Sequence, residues 1–147
     1  EEVMLAATDL LAETKVAPEL SNEAHYYRAK AYLDAGKVEG AMDDLKILAK
    51  DTRNIYGAEA KYKVAQIYFD AGQTEQAEKE VLDYIEVSTP HTYWLARSFV
   101  LLSDVYMKLG RNLDAKQYLL SLKQNYQADD DIAGMIESRL NKLNAEN

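Results

Sequence analysis

Apolar residues recur at steps of three and four along nearly the whole chain, and no run of Val, Ile and Thr alternates with polar residues. The first pattern lines one face of an α-helix, and the second would have marked strands. Breaks are scarce, with six Gly and two Pro in 147 residues. Read between those breaks, the pattern predicts eight helices, over residues 2–15, 18–35, 38–51, 53–71, 74–87, 90–109, 112–126 and 130–144. Pro90 follows Ser88 and Thr89 and fits a first helical turn with Thr89 as N-cap. Pro18 holds the matching place earlier, and Asp129, Asp130 and Asp131 precede the last helix, where negative charge complements the helix dipole.

The helices repeat. Three segments align: AKAYLDAGKVEGAMDDL from Ala29, AQIYFDAGQTEQAEKEV from Ala65 and SDVYMKLGRNLDAKQYL from Ser103. Each carries a small residue, a Tyr, a Gly and an Ala in fixed phase: Tyr32–Gly36–Ala41, Tyr68–Gly72–Ala77 and Tyr106–Gly110–Ala115. The glycines stand 36 and 38 residues apart. Each element has a physical job. The Gly closes one helix in the left-handed conformation and lets the chain reverse. The Ala allows the next helix to approach closely, and the Tyr, one turn before the Gly, fills the gap between the paired helices. One such pair cannot bury its apolar faces alone, so stacked neighbours must complete the core.

Composition adds limits rather than identity. The formal net charge is −8, shared evenly between the two halves, which disfavours a nucleic-acid partner. Cys is absent, so there is neither a disulfide framework nor a thiolate metal site. No apolar run reaches the roughly 20 residues of a membrane span. The chain starts at Glu1 rather than Met, and a fragment of a larger protein is expected.

The small–Tyr–Gly–Ala triplets resemble the tetratricopeptide repeat, a helical-pair repeat of about 34 residues. The resemblance implies an all-α, right-handed superhelical solenoid of antiparallel helix pairs. It divides the chain into one array: 1–17 as the second half of a preceding repeat, 22–52, 58–89 and 96–126 as repeats, and 129–147 as a capping helix or the first half of a further repeat. Ala6, Leu10 and Pro18 take the small, bulky and proline positions of that preceding half. His25, Arg28 and Lys61 depart from the family by standing at inward positions, which implies either looser packing there or packing through the stems of long side chains. The stretched spacing is also similar to that of bacterial envelope modules, including periplasmic adaptors of outer-membrane assembly and Tol–Pal-type systems. The bacterial periplasm or envelope is thus the favoured compartment, with the cytoplasm as the alternative.

Such repeats imply a scaffold whose first helices line a concave groove for a peptide or a partner helix. Phase with the Tyr–Gly pair assigns the groove to Glu23, Tyr26, Lys30, Leu33 and Asp34, then to Glu59, Tyr62, Gln66, Phe69 and Asp70, then to Arg97, Val100, Asp104, Met107 and Lys108. Tyr26 and Tyr62 are candidate partner anchors, with packing against the adjacent repeat as the alternative. Tyr93 and Trp94 read as an inter-repeat contact. Tyr26, Lys30, Lys63 and Leu101 do not reproduce the clamp by which one subfamily grips the carboxylate of chaperone tails.

Catalytic chemistry finds no purchase. His25 and His91 lie in different repeats and suit no metal site, and Asp129–Asp131 lacks the alternation of a calcium loop. There is no nucleophile elbow and no Gly-rich phosphate loop. Asp43–Asp44 and Glu78–Glu80 read as solvated faces of amphipathic helices. The expectation is a non-catalytic protein-binding module without cofactor or metal. The alternatives are a structural or self-assembly module acting through its end helices, as a homo-oligomer, or a repeat domain binding a small molecule or glycan.

Overall fold

The computed structural model describes residues 2–11, 18–87 and 89–145, with the side chains at Glu2, Asp9, Leu10, Leu11 and Pro18 outside the described set. The expected packing positions of Leu10 and Pro18, the placement of Ser88 and the proposed extension of the first helix to residue 15 therefore lie outside it. The described residues form α1 (Glu2–Leu11), α2 (Pro18–Asp34), α3 (Val38–Leu48), α4 (Ile55–Asp70), α5 (Thr74–Glu86), α6 (Thr92–Lys108), α7 (Asn112–Asn125) and α8 (Ile132–Ala145), with no strand among them. No helix there is long and apolar enough to cross a membrane.

The turns within the pairs follow the expected chemistry closely. Gly36, Gly72 and Gly110 have φ of 75°, 79° and 77°. At each, two backbone bonds seal the helix end: Gly36 N–H donates to Leu33 O and Lys37 N–H to Tyr32 O, and the same pair recurs at Phe69/Tyr68 and Met107/Tyr106. Ala41, Ala77 and Ala115 are fully buried where the next helix crosses, and the small residues Ala29, Ala65 and Ser103 are buried too. Tyr106 is buried, while Tyr32 and Tyr68 are half-buried and pack on the core from its edge.

Within each pair the helices run antiparallel, α2 on α3, α4 on α5 and α6 on α7, and α1 packs on α2 as α3 packs on α4. Across pairs, α2 touches α4, α4 touches α6 and α6 touches α8, whereas α3 and α5, and α5 and α7, stay apart. A stack whose first helices meet while its second helices splay is curved, so α2, α4, α6 and α8 line the concave side. The apolar core falls in two clusters that both draw on α4, one with Ala29, Leu45 and Val64 and one with Ala65, Leu102, Leu119, Ile136 and Leu143.

Three expectations need correction. Thr89 is not an N-cap: α6 begins two residues later, and the Thr89 hydroxyl donates to Thr52 O at 2.7 Å and accepts from His91 N–H at 3.1 Å. It pins the loop before α6 to the loop before α4, one repeat back. Asp44 does not sit on a solvated face. It is 0% exposed, accepts from Arg28 Nε at 2.8 Å and Nη2 at 2.6 Å, and lies 2.7 Å from His25 Nδ1. Glu80 likewise turns inward to Lys61, 2.7 Å away. The polar residues His25, Arg28 and Lys61 thus stand at inward positions because each has a carboxylate on the partner helix, and not only because their stems are apolar. By contrast, the acidic run before α8 caps as expected, with Asp130 Oδ1 accepting from Ile132 N–H at 2.9 Å.

Candidate functional site

The groove is best described by counting back from each turn glycine. Ten residues before it stand Tyr26, Tyr62 and Val100; thirteen before it stand Glu23, Glu59 and Arg97. These two rows stitch neighbouring repeats together. The Tyr26 hydroxyl donates to the Glu59 carboxylate, 3.2 Å from either oxygen, and Lys63 pairs with the same carboxylate. One repeat on, Arg97 Nη2 donates to the Tyr62 hydroxyl at 3.1 Å, while that hydroxyl donates to Gln66 Oε1 at 2.9 Å. A phenol both donates and accepts, so the same Tyr serves opposite a carboxylate in one repeat and a guanidinium in the next.

Aromatic packing reinforces the ties. The Arg97 guanidinium lies 4.9 Å from the centre of the Tyr62 ring, and Trp94 lies 5.7 Å from it. Tyr93 donates to Asp131, 2.9 Å away, which places Tyr93 and Trp94 in the expected inter-repeat contact. Tyr26 packs 4.7 Å from Tyr56 and 5.3 Å from Tyr27. Burial and the adjacent Glu59 charge push the Tyr26 hydroxyl up to about 12. Tyr62 is only 7% exposed and Val100 3%. As a surface anchor, Tyr62 is therefore a correction: its ring is spent on the next repeat, the alternative weighed for it above.

Six residues before each glycine come Lys30, Gln66 and Asp104. Asp104 is held by Arg139 of α8, at 2.7 and 2.9 Å, and Gln66 donates to Asp70 at 2.8 Å. The rows nearest the turn remain open. Three before the glycine are Leu33, Phe69 and Met107, all half-buried, and two before it are Asp34, Asp70 and Lys108, all exposed. Phe69, Asp104, Met107, Lys108 and Lys142 line a cavity of about 370 Å³ where α4, α6 and α8 meet.

Sequence reasoning overlooked Lys142 and Arg139. They stand 35 residues after Met107 and Asp104, so α8 continues the groove rows although no turn glycine follows it. That spacing was the available signal. Lys63 and Tyr56 were also missed, one as the second partner of Glu59 and the other as a wall of the Tyr26 cluster.

The comparisons with known proteins agree with this geometry. Two family models, each described as tetratricopeptide repeat, match residues 96–125 and 23–51. The pair α4–α5 lies between the matches and repeats the same Tyr–Gly–Ala turn. No curated protein and no solved structure matches the chain.

Proposed function

We propose, on the premise that this chain belongs to the tetratricopeptide-repeat family, that its concave face is a docking groove for a peptide segment or helix of a partner protein. Proteins built from these repeats generally act as protein–protein interaction scaffolds. The described helices divide as one array, with α1 as the second half of a preceding repeat, α2–α3, α4–α5 and α6–α7 as full repeats, and α8 as a capping helix or the first half of a further repeat that lends Arg139 and Lys142 to the groove.

One observation carries this reading. Far from the turns, the Tyr26–Glu59, Tyr62–Arg97 and Asp104–Arg139 contacts tie neighbouring repeats, whereas Leu33, Phe69 and Met107 form a half-exposed apolar row that leads into the 370 Å³ cavity. A surface fixed from beneath and open above lowers the ordering cost of docking. The mechanism is non-catalytic. Peptide display against the wild type and against Phe69→Ala/Met107→Ala tests it. The expected result is a set of peptides whose binding weakens on the variant; peptides that bind both equally refute the groove.

A second reading rests on the other end. Val3 is exposed at a cavity of about 350 Å³ that it lines with Ala6, Ala7, Glu23, Ala24 and Tyr27, and Leu5 is exposed elsewhere on the same helix. An uncovered apolar helix face of this kind supports self-association. Sedimentation equilibrium over a concentration series decides it, and a strict monomer removes it.

A further inference from the structure

Charge is distributed along the groove with a sign that changes from end to end. On α2 and α4 it carries Glu23, Asp34, Glu59 and Asp70 against Lys30 and Lys63. On α6 and α8 it carries Arg97, Lys108, Arg139 and Lys142 against Asp104. Ion pairing leaves the contrast in place. Asp104 is paired with Arg139 and Glu59 with Lys63, whereas Asp34, Lys108 and Lys142, and Lys30 as the one opposing charge among the exposed residues of α2, make no ion pair among the described residues. Alongside these charges, one position before Asp34, Asp70 and Lys108, runs the apolar row Leu33, Phe69 and Met107. Lys142 takes the next place in that row. Net charge does not explain this, because each half of the sequence carries the same −4.

We propose that the groove selects a bipolar segment of a partner protein: basic residues over α2 and α4, bulky apolar side chains over Leu33, Phe69 and Met107, and acidic residues over Lys108 and Lys142. This rests on the docking reading above and adds the chemistry of the partner. Four first helices spaced roughly 9 Å apart span about 27 Å, which an extended segment of about eight residues covers. Opposed charges at the two ends fix the direction in which the segment lies, because the reversed pose places like charges together at both. The overall charge of −8 would draw any basic peptide weakly, so preference for a bipolar one must come from the local pattern.

The test uses three fluorescein-labelled peptides of about nine residues with Leu, Phe and Leu set about three residues apart, to match the helix spacing. One carries Lys between and around them in its first half and Asp in its second, one carries Lys throughout, and one Asp throughout. Fluorescence anisotropy at physiological salt is expected to rank the bipolar peptide tightest on the wild-type chain. In Lys108→Glu/Lys142→Glu the bipolar peptide weakens about tenfold and the all-Lys peptide becomes the tightest. Both lysines are exposed and make no ion pair among the described residues, and an unchanged circular dichroism spectrum verifies that the variant folds. If the all-Lys or all-Asp peptide binds the wild type best, or the variant keeps the wild-type ranking, the bipolar inference falls while the groove stands. If none of the three binds, the inference also falls. Peptide display that yields no groove-dependent binders then takes the docking reading with it.

Discussion

Replacing Asp44 by Asn keeps the shape of a fully buried side chain and removes its charge. The carboxylate receives two guanidinium bonds, at 2.8 and 2.6 Å, and stands 2.7 Å from His25 Nδ1. An amide in its place turns an NH2 group toward at least one of these donors, so one charge-assisted bond is lost and two donors face each other. A bond to a charged group contributes about 1.5–3 kcal/mol, and removing one partner of a buried pair costs about 3–5 kcal/mol. The Arg28 side chain is 20% exposed and regains part of its hydration, which sets the figure at the low end, about 3 kcal/mol. Urea denaturation followed by circular dichroism reads this as a lower midpoint at unchanged slope. Asp43→Asn, one residue away and exposed, should stay within about 0.5 kcal/mol of wild type. If Asp44→Asn matches that control, the buried cluster does not tie α2 to α3. Pairing it with Arg28→Met should show strong non-additivity, and additive effects would contradict the geometry as well.

Gly57→Ala should destabilise by more than about 3 kcal/mol in the same assay, because the new Cβ would collide with the Asp51 carbonyl oxygen and sit 2.5 Å from that of Leu48. Gly72→Ala, at φ +79°, should cost about 1–2 kcal/mol although nothing crowds it, whereas Gly134→Ala, within α8 and in open space, should stabilise by about 0.5–1 kcal/mol. The Tyr26 hydroxyl, raised from 10.0 to about 12, keeps its proton in the folded state after the unfolded chain has lost it. Its contribution is therefore complete below pH 10 and declines as the pH rises toward 12, and Tyr26→Phe should flatten that alkaline loss of stability, with tyrosinate absorbance reporting the titration. Asp34→Lys/Asp70→Lys should raise the thermal midpoint by relieving two unfavourable helix-end charges of about 0.3–1 kcal/mol each, and an unchanged or lower midpoint would count against that electrostatic reading.

The periodic part of this molecule was legible because it is written three times. A Tyr, a Gly and an Ala at fixed offsets specify a helix end, a left-handed turn and a close crossing, and all three turns have that geometry. What sequence could not resolve occurs once. Asp44 and Asp43 are adjacent acids on one helix, and only the arrival of Arg28 and His25 from α2 decides which of them is buried. The inter-repeat ties escaped for a related reason. Tyr26 with Glu59, Tyr62 with Arg97 and Asp104 with Arg139 are pairs 33 to 35 residues apart whose chemistry differs each time, so no recurring motif announces them. Thr89 was misplaced because a Thr before a Pro fits a cap equally well on paper, while its hydroxyl is committed to the loop one repeat earlier.

The two kinds of groove row differ in what they cost the fold. Tied rows satisfy themselves: every charge or phenol in the Tyr26–Glu59 and Tyr62–Arg97 contacts meets a complementary group, and each contact locks one repeat to the next. The row two residues before the glycine runs partly against local preference. Lys108 at the end of α6 suits the negative end of the helix dipole, but Asp34 and Asp70 close α2 and α4 with the disfavoured sign. Neither aspartate is drawn inward by a cation among the described residues: Asp34 makes no ion pair there, and Asp70 accepts from the neutral Gln66 amide. Stability alone would place Lys at all three positions. A sequence that is locally consistent nearly everywhere departs from consistency where another demand acts, and functional surfaces are where such departures concentrate. The departure here follows the axis of the groove, with acid at one end and base at the other, as the bipolar partner requires.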